Sequence, residues 1–438
     1  MTVKLQSPSS KKDVVVAMFF IALQFFILGF VTWLNGSLIP FLKIVCDLND
    51  FQALWVTFAF YIAYAVMALP SATILSRTGY KNGMTLSLGV MAVGALLFIP
   101  AAKSTNYGFF LLALFTLATG MTLMQTAINP YIVCIGSRDS AAMRISIMGL
   151  FNKGAGIMVP LIFSTLILSG IEQYSSVAMA ALDQVAKETM RAELSARLIT
   201  PYAIMAAGLF AFMVIIHLSP LPDLNEDNST EVATTRFGLL QFPQLVLGAL
   251  ALFAYVGVEV IAGDTIGLYG HHLGVLNFAA LTSYTMSFMV LGYLLGVVAI
   301  PKYLSQKNAL VFCAVSGLVF TIGVALSSKT NTNLSEILVT WSGAPAVPNS
   351  VMFLALLGFA NALVWPSIWP LALDGLGKYT ANGSALLIMG IAGGALLPLV
   401  YGRISDVSNS QVAYWVMLPC YLMIFFYAVK GHKLRSWK

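Results

Sequence analysis

The sequence predicts an all-α membrane protein, a twelve-helix bundle built as two pseudo-symmetric six-helix halves, and three observations predict it. The first is composition. The 438 residues are 59% hydrophobic and 9% charged, with a mean hydropathy of +0.87, whereas a soluble domain carries about a quarter charged residues. The second is pattern: charges fall in short clusters between apolar runs of about 20 residues or more, the signature of membrane-spanning helices rather than the weak alternation of a β-barrel. The third is symmetry, because one polar segment divides the runs six and six.

The expected helices run over 14–42, 51–76, 82–102, 106–136, 141–170 and 201–221, then 241–270, 276–301, 308–327, 351–377, 381–404 and 408–430. The first apolar run follows Lys12 and continues for about 28 residues with no cleavage motif, so it reads as a first span and not a removable leader. Residues 1–221 form the first half, the acidic, poorly hydrophobic stretch 222–240 (PDLNEDNSTEVATTRFG and its flank) a cytoplasmic linker, and 241–438 the second half. Residues 171–199 place Met179, Leu182, Val185, Ala186, Met190 and Leu194 at helical spacing opposite Asp183, Lys187, Glu188, Arg191 and Arg197. That pattern predicts an amphipathic helix on the outer surface.

The net charge of +6 reflects topology and not a nucleic-acid surface. With both termini on one side, that side holds 15 Lys/Arg, among them Arg77, Lys81, Arg138, Arg144, Arg236, Lys302, Lys307 and Lys378, and the other holds 7. Positive-inside bias therefore places both termini in the cytoplasm. Cys46, Cys134, Cys313 and Cys420 have no motif spacing and read as packing residues. His271 and His272 are adjacent, so they do not share a helical face, and they read as loop histidines.

Internal repetition supports duplication. At an offset of 238, Gly120, Gly156 and Pro160 fall on Gly358, Gly394 and Pro398; at 226, Lys81-Asn82 meets Lys307-Asn308; at 228, Gly29 meets Gly257 and Gly36 meets Asp264. Two halves around a central site is a common transporter design.

Function is carried by the polar residues inside the spans. Lys153 in GLFNKGAG and Glu259 and Asp264 in AYVGVEVIAGD lie deep in apolar runs, where insertion costs roughly 2.5–3.5 kcal/mol for Lys or Asp. Such residues face protein or water and mark solute or ion pathways. Lys153 needs a carboxylate partner, either Glu259 or Asp264. Amides and an aromatic suited to sugar hydroxyls and a sugar face are Asn35, Gln125, Asn129, Asn152, Asn361 and Trp365, with Glu259 among them and Trp33 and Trp369 as further aromatics.

The loop PSATILSRTGYKNG resembles a degenerate form of the signature loop of the major facilitator superfamily. TWLNGSLIPFLK, TLMQTAINPYIVCIG, GLFNKGAG, AYVGVEV and WPSIWPLAL through NGSALLIMGIAGGALLPLVYGRISD resemble its fucose:proton symporter branch, and within it the bacterial glucose/galactose transporter group. The resemblance implies a V-shaped bundle whose first, fourth, seventh and tenth helices line a cavity opening alternately to each side. It also implies import of a monosaccharide with a cation, in a bacterial cytoplasmic (inner) membrane, by a monomer that needs no cofactor. Proton-coupled fucose members carry an Asp after the Asn of the first motif and a Glu in helix four. Here those positions are Gly36 and Gln125, neither of which titrates.

That leaves Glu259, Asp264 and their counter-charge Lys153 as ion-coupling candidates, with sodium favoured over the proton because amides, hydroxyls, carbonyls and one carboxylate suffice to hold it. The expected activity is symport of a glucose/galactose-type hexose. The alternatives are a proton-coupled fucose or N-acetylglucosamine importer, or a uniporter or exporter of the same fold. No nucleophile–base pair, phosphate loop or metal-ligand cluster points to an enzyme.

Overall fold

The computed structural model describes residues 11–134, 141–167, 183–221, 236–300, 303, 305–376 and 379–437. Twelve helices among them are long and apolar enough to cross a membrane. In the first half they are α1 (Lys11–Cys46), α2 (Trp55–Thr78, entered through the turn Asp50–Ala53), α3 (Tyr80–Ser104), α4 (Tyr107–Cys134), α5 (Ala141–Leu166) and α6 (Ile199–Leu218). The second half has α7 (Pro243–Asp264), α8 (Leu281–Ala299), α9 (Gln306–Leu326), α10 (Asn349–Asn361, then Val364–Leu373), α11 (Thr380–Met389, then Gly393–Val407) and α12 (Met417–Val429). Segment 222–235, which holds most of the expected linker, and Arg138, Lys302 and Lys378 lie outside the described residues.

The packing repeats. α1 lies on α5 as α7 lies on α11; α2 and α3 both pack on α4 as α8 and α9 pack on α10; α3 meets α6 as α9 meets α12. The seams between halves are related in the same way, α5 against α8 and α11 against α2. Two glycines set the seams: a Cβ on Gly156 of α5 would press on Trp33 of α1 and Met286 of α8, and one on Gly394 of α11 would press on Val256 and Val260 of α7 and Tyr61 of α2. These are equivalent neighbours, so the offset of 238 holds for this pair. Gly120 and Gly358 differ, the first facing Met91 of α3 and the second Thr285 of α8.

Four expected helices are broken where the sequence read them as continuous. α7 stops at Asp264 and resumes as Ile266–His272, because Thr282 Oγ1 of α8 takes the Gly263 carbonyl at 2.8 Å and Thr285 Oγ1 the Ala262 carbonyl at 3.4 Å. Side-chain donors inserted into the helical ladder release the next turn. α10 breaks at 362–363 ahead of Pro366, whose ring nitrogen cannot donate to the fourth preceding carbonyl. α11 tightens to a 3₁₀ turn over Gly390–Ala392, and α12 is preceded by one over Tyr414–Val416, ahead of Pro419.

The 36 residues of α1 span roughly 54 Å at 1.5 Å per residue, well beyond the ~30 Å hydrocarbon layer. Its last turn, with Lys43, therefore projects past the bilayer at the end of the bundle away from the termini, called here the far end. Also at the far end, the described part of the amphipathic segment is a helix over Gln184–Ala196 capped by Asp183, whose Oδ1 accepts from Ala186 N at 2.7 Å. It docks on α1 and α3 by burying Leu194, by Ser195 Oγ donating to Ala102 O at 2.9 Å, and by Arg191 pairing with Asp47 at 3.0 Å. Met179 and Leu182 lie outside the described residues.

Candidate functional site: a mid-depth ion pair between the halves

α1, α5 and α7 meet at mid-depth because their contacts are glycine-lined. A Cβ on Gly29 would sit 2.0 Å from the Asn152 carbonyl of α5, and one on Gly263 would sit 2.6 Å from the Trp33 ring. Close backbone approach brings Lys153 of α5 to Glu259 of α7, Nζ to Oε1 at 2.8 Å, with each side chain 12% exposed. The ammonium also lies 4.4 Å from the centroid of the Trp33 ring, inside the range in which the π face attracts a cation. Glu259 is thus the carboxylate that Lys153 meets. The pair joins the two halves.

Asp264 has no such partner. Its side chain is fully buried and neither carboxylate oxygen has a hydrogen-bond donor. Tyr61 of α2 and Glu259 lie within electrostatic reach of it. Its duplicate position, Gly36, sits against α8 and α7, where a Cβ would be 2.3 Å from Thr282 Oγ1 and 2.8 Å from the Gly263 carbonyl. Three orphaned groups belong to this region of α1 and α7: Asp264, the Asn35 Nδ2 and the Trp33 Nε1. Buried polar atoms without partners are rare and call for an explanation.

The other expected residues divide. Gln125 of α4 donates from Nε2 to Tyr64 Oη of α2 at 3.0 Å, and Asn152 Nδ2 donates to Phe25 O of α1 at 3.3 Å; both are half-buried, as is Asn129. Trp365 is half-buried between Tyr255 and Trp369, ring centroids 6.3 and 5.5 Å away. Asn361 is 1% exposed; its Oδ1 accepts from Tyr421 Oη of α12 at 2.9 Å and its Nδ2 has no hydrogen-bond partner.

Sequence reading missed a second junction, at the far end. The Asp50 carboxylate, 3% exposed, accepts from Lys43 Nζ at Oδ1 and from Ser405 Oγ of α11 at Oδ2, and His272 Nε2 is 3.2 Å from Oδ1. The Asp406 carboxylate of α11 accepts from the backbone N–H groups of Asp50 and Phe51 at 2.9 and 3.1 Å. His272 reaches Lys43 Nζ through Nε2 at 2.8 Å and Ser410 Oγ through Nδ1 at 2.5 Å. The pair expected as loop histidines closes the last helical turn of Ile266–His272. A cavity of about 440 Å³ opens beside this clasp, lined also by Tyr269, Lys329, Asn409 and Gln411. The one available signal was that α1 and its counterparts carry charges just beyond the apolar runs; loop charges are ordinary, so spacing alone does not single them out.

Residues 21–398 match the family model of the Major Facilitator Superfamily. A "Glucose/galactose transporter" of Brucella abortus biovar 1 (strain 9-941) is 33% identical over 97% of this chain and 96% of its own. An "L-fucose-proton symporter" of Haemophilus influenzae is 27% identical over 98% of each chain. The solved fucose:proton symporter FucP of E. coli superposes with a TM-score of 0.70 at 24% identity, covering 97% of this chain and 100% of that one, which shows a common fold. Twelve membrane helices in two duplicated halves, joined by a buried ion pair at mid-depth, thus find their family: the chain belongs to the Major Facilitator Superfamily, whose members here are transporters and not enzymes.

Proposed function

We propose that the chain is a symporter that imports a glucose/galactose-type hexose together with a cation by alternating access, in the cytoplasmic membrane of a bacterium with both termini in the cytoplasm. The observation that carries the reading is the Lys153–Glu259 pair, 2.8 Å long and lying over Trp33 between the two halves. A sugar offers hydroxyls to Glu259 and the half-buried amides Gln125, Asn129 and Asn152, and an apolar face to a ring such as Trp365; those residue types suit it better than the apolar cavity of a drug exporter. The names of the full-length relatives support the substrate class. Far-end contacts that close while the mid-depth site is formed fit one access state of such a cycle.

Sodium is the favoured driving ion. Gly36 and Gln125 cannot titrate, and Asp264 is a fully buried carboxylate with no donor, whose charge a cation compensates. A proton is the second reading, which the same bare carboxylate supports, since protonation also removes an unpaired buried charge. Uptake of radiolabelled glucose, galactose, fucose and N-acetylglucosamine into proteoliposomes decides it. Accumulation that needs an inward sodium gradient and survives collapse of the pH gradient is expected; accumulation under a proton gradient alone replaces sodium with the proton, and sugar equilibration without accumulation under either overturns symport for uniport.

A further inference from the structure

The far-end clasp has a defined proton inventory. Lys43 Nζ has only donors, so at 2.8 Å His272 Nε2 must accept. The imidazole is then neutral with its proton on Nδ1, and Nδ1–H donates to Ser410 Oγ. Ser405 gives its single hydroxyl proton to Asp50 Oδ2, so across the 2.9 Å separating the two serines Ser410 donates to Ser405 Oγ. One uninterrupted chain therefore runs from His272 through Ser410 and Ser405 to Asp50, and a second path runs from Lys43 to both His272 and Asp50. Every bond has one proton. His272, Ser405, Asp406 and Ser410 belong to the second half, Lys43 and Asp50 to the first, so this chain holds the halves together.

A proton added to His272 has one place to go, the Nε2 lone pair that Lys43 now occupies. The Lys43 bond is then lost and two cations face each other at contact. The charged or titratable groups that face the ring are Lys43 from α1, Asp50 from the turn before α2, Asp406 from α11 and Lys329 from the segment after α9. The neighbouring His271 belongs to the same turn. Asp50 Oδ1, already engaged by Lys43, is the remaining acceptor at 3.2 Å. Asp406 is committed to two backbone N–H groups. Burial, helped by His272 when that ring is protonated and by Lys43, and opposed by Asp50, pushes His271 down to about 4, so it stays neutral across pH 5–8. Of the two adjacent histidines, His272 is the one whose ring nitrogens both belong to the clasp.

We infer that His272 is a proton-sensitive latch: acidification of the outer face breaks the Lys43–His272 bond, weakens the clasp and shifts the carrier toward its outward-open state. This rests on the alternating-access reading above and is independent of which ion drives uptake, because the latch is at the far end and the ion candidates are at mid-depth. An importer so built is released toward the outside when the medium is acid.

The test uses the full-length protein in proteoliposomes with spin labels at Lys103 and Ala346, exposed positions on opposite halves at the far end, and reads the distance distribution between them at pH 8 and pH 5.5. The long-distance population should rise on acidification, changing the open-to-closed ratio roughly fivefold or more. His272→Gln, whose side-chain oxygen still accepts from Lys43, should hold the pH 8 distribution at both pH values. Lys43→Met, which removes the opposing cation, should blunt the response. An unchanged or shortened distance at pH 5.5 in the unsubstituted carrier overturns the latch, as does a full response in His272→Gln. Saturating sugar and sodium at pH 8 form a separate arm: if they leave the distance distribution unmoved, alternating access itself fails, whatever the pH arm shows.

Discussion

Two polar junctions tie the halves together, and they are built in opposite ways. At the far end, Lys43, Asp50, His272, Ser405, Asp406 and Ser410 satisfy one another. At mid-depth, one ion pair is made and the groups around it, Asp264, Asn35 Nδ2 and Trp33 Nε1, are left without partners. A complete network offers no free donor or acceptor, whereas an incomplete one leaves groups that a ligand could satisfy. On the function proposed above, the first suits a gate and the second a binding site.

The contrast breaks first at Glu259. Glu259→Gln leaves the Lys153 ammonium unpaired at depth, which costs on the order of 3–5 kcal/mol. Uptake should fall by ~100-fold or more and the thermal midpoint should drop. The double variant Lys153→Met with Glu259→Leu should recover the midpoint but not uptake. Recovery of both in the double variant would reduce the pair to a structural bridge.

Asp264→Asn tests the incomplete side from the other direction. Because the carboxylate has no donor, its neutral isostere should stabilise the sodium-free carrier by roughly 1–3 kcal/mol while abolishing gradient-driven accumulation and sparing sugar exchange. Thermal melts with and without sodium, set beside counterflow, check it. A sodium-dependent melt that persists in Asp264→Asn places the ion elsewhere.

Gly36→Asp puts a carboxyl where the fucose branch carries one, and a Cβ there meets Thr282 Oγ1 at 2.3 Å. Overpacking of that kind costs about 1–3 kcal/mol. The variant should melt lower and should not gain proton-driven uptake. The smallest effect is expected at Asn361. Asn361→Ala removes its bond from Tyr421 and should cost about 1 kcal/mol, with the half-saturating sugar concentration unchanged; a severalfold rise would put Asn361 in the sugar site.

The halves of this comparison were unequally legible in the sequence. Lys153, Glu259 and Asp264 stand out because a charge in an apolar run has a steep free-energy cost, so its presence is information. Which carboxylate Lys153 meets was open, since 153 and 259 are brought together by contacts between helices, at Gly29 against Asn152 and Gly263 against Trp33. The span count, the six-and-six division and the Gly156/Gly394 equivalence follow from hydropathy and repetition. The contacts of Asn361 were not legible, because an amide in a span looks the same whether both its ends are satisfied or, as here, its oxygen takes the Tyr421 hydroxyl and its Nδ2 has no partner. The breaks in α7 and α10 were not read: the first depends on hydroxyls from α8, and the second on a Pro that many membrane helices tolerate. The clasp was invisible, because Lys43, Asp50, His272 and Asp406 fall just outside the apolar runs, where charge is unremarkable, and their meeting is purely tertiary.

The interruption after Asp264 gives α7 a further meaning. Glu259 and His272 are thirteen residues apart on one path, about 20 Å along the axis, and the joint between them has surrendered two of its carbonyls to α8. A rigid rod would deliver every movement of one end to the other at once. A jointed one introduces slack, so the outer segment can swing before the inner one turns. Transport in this carrier should then show two resolvable phases after a rapid change of conditions, and a substitution that stiffens the joint, such as Thr282→Val, should merge them into one.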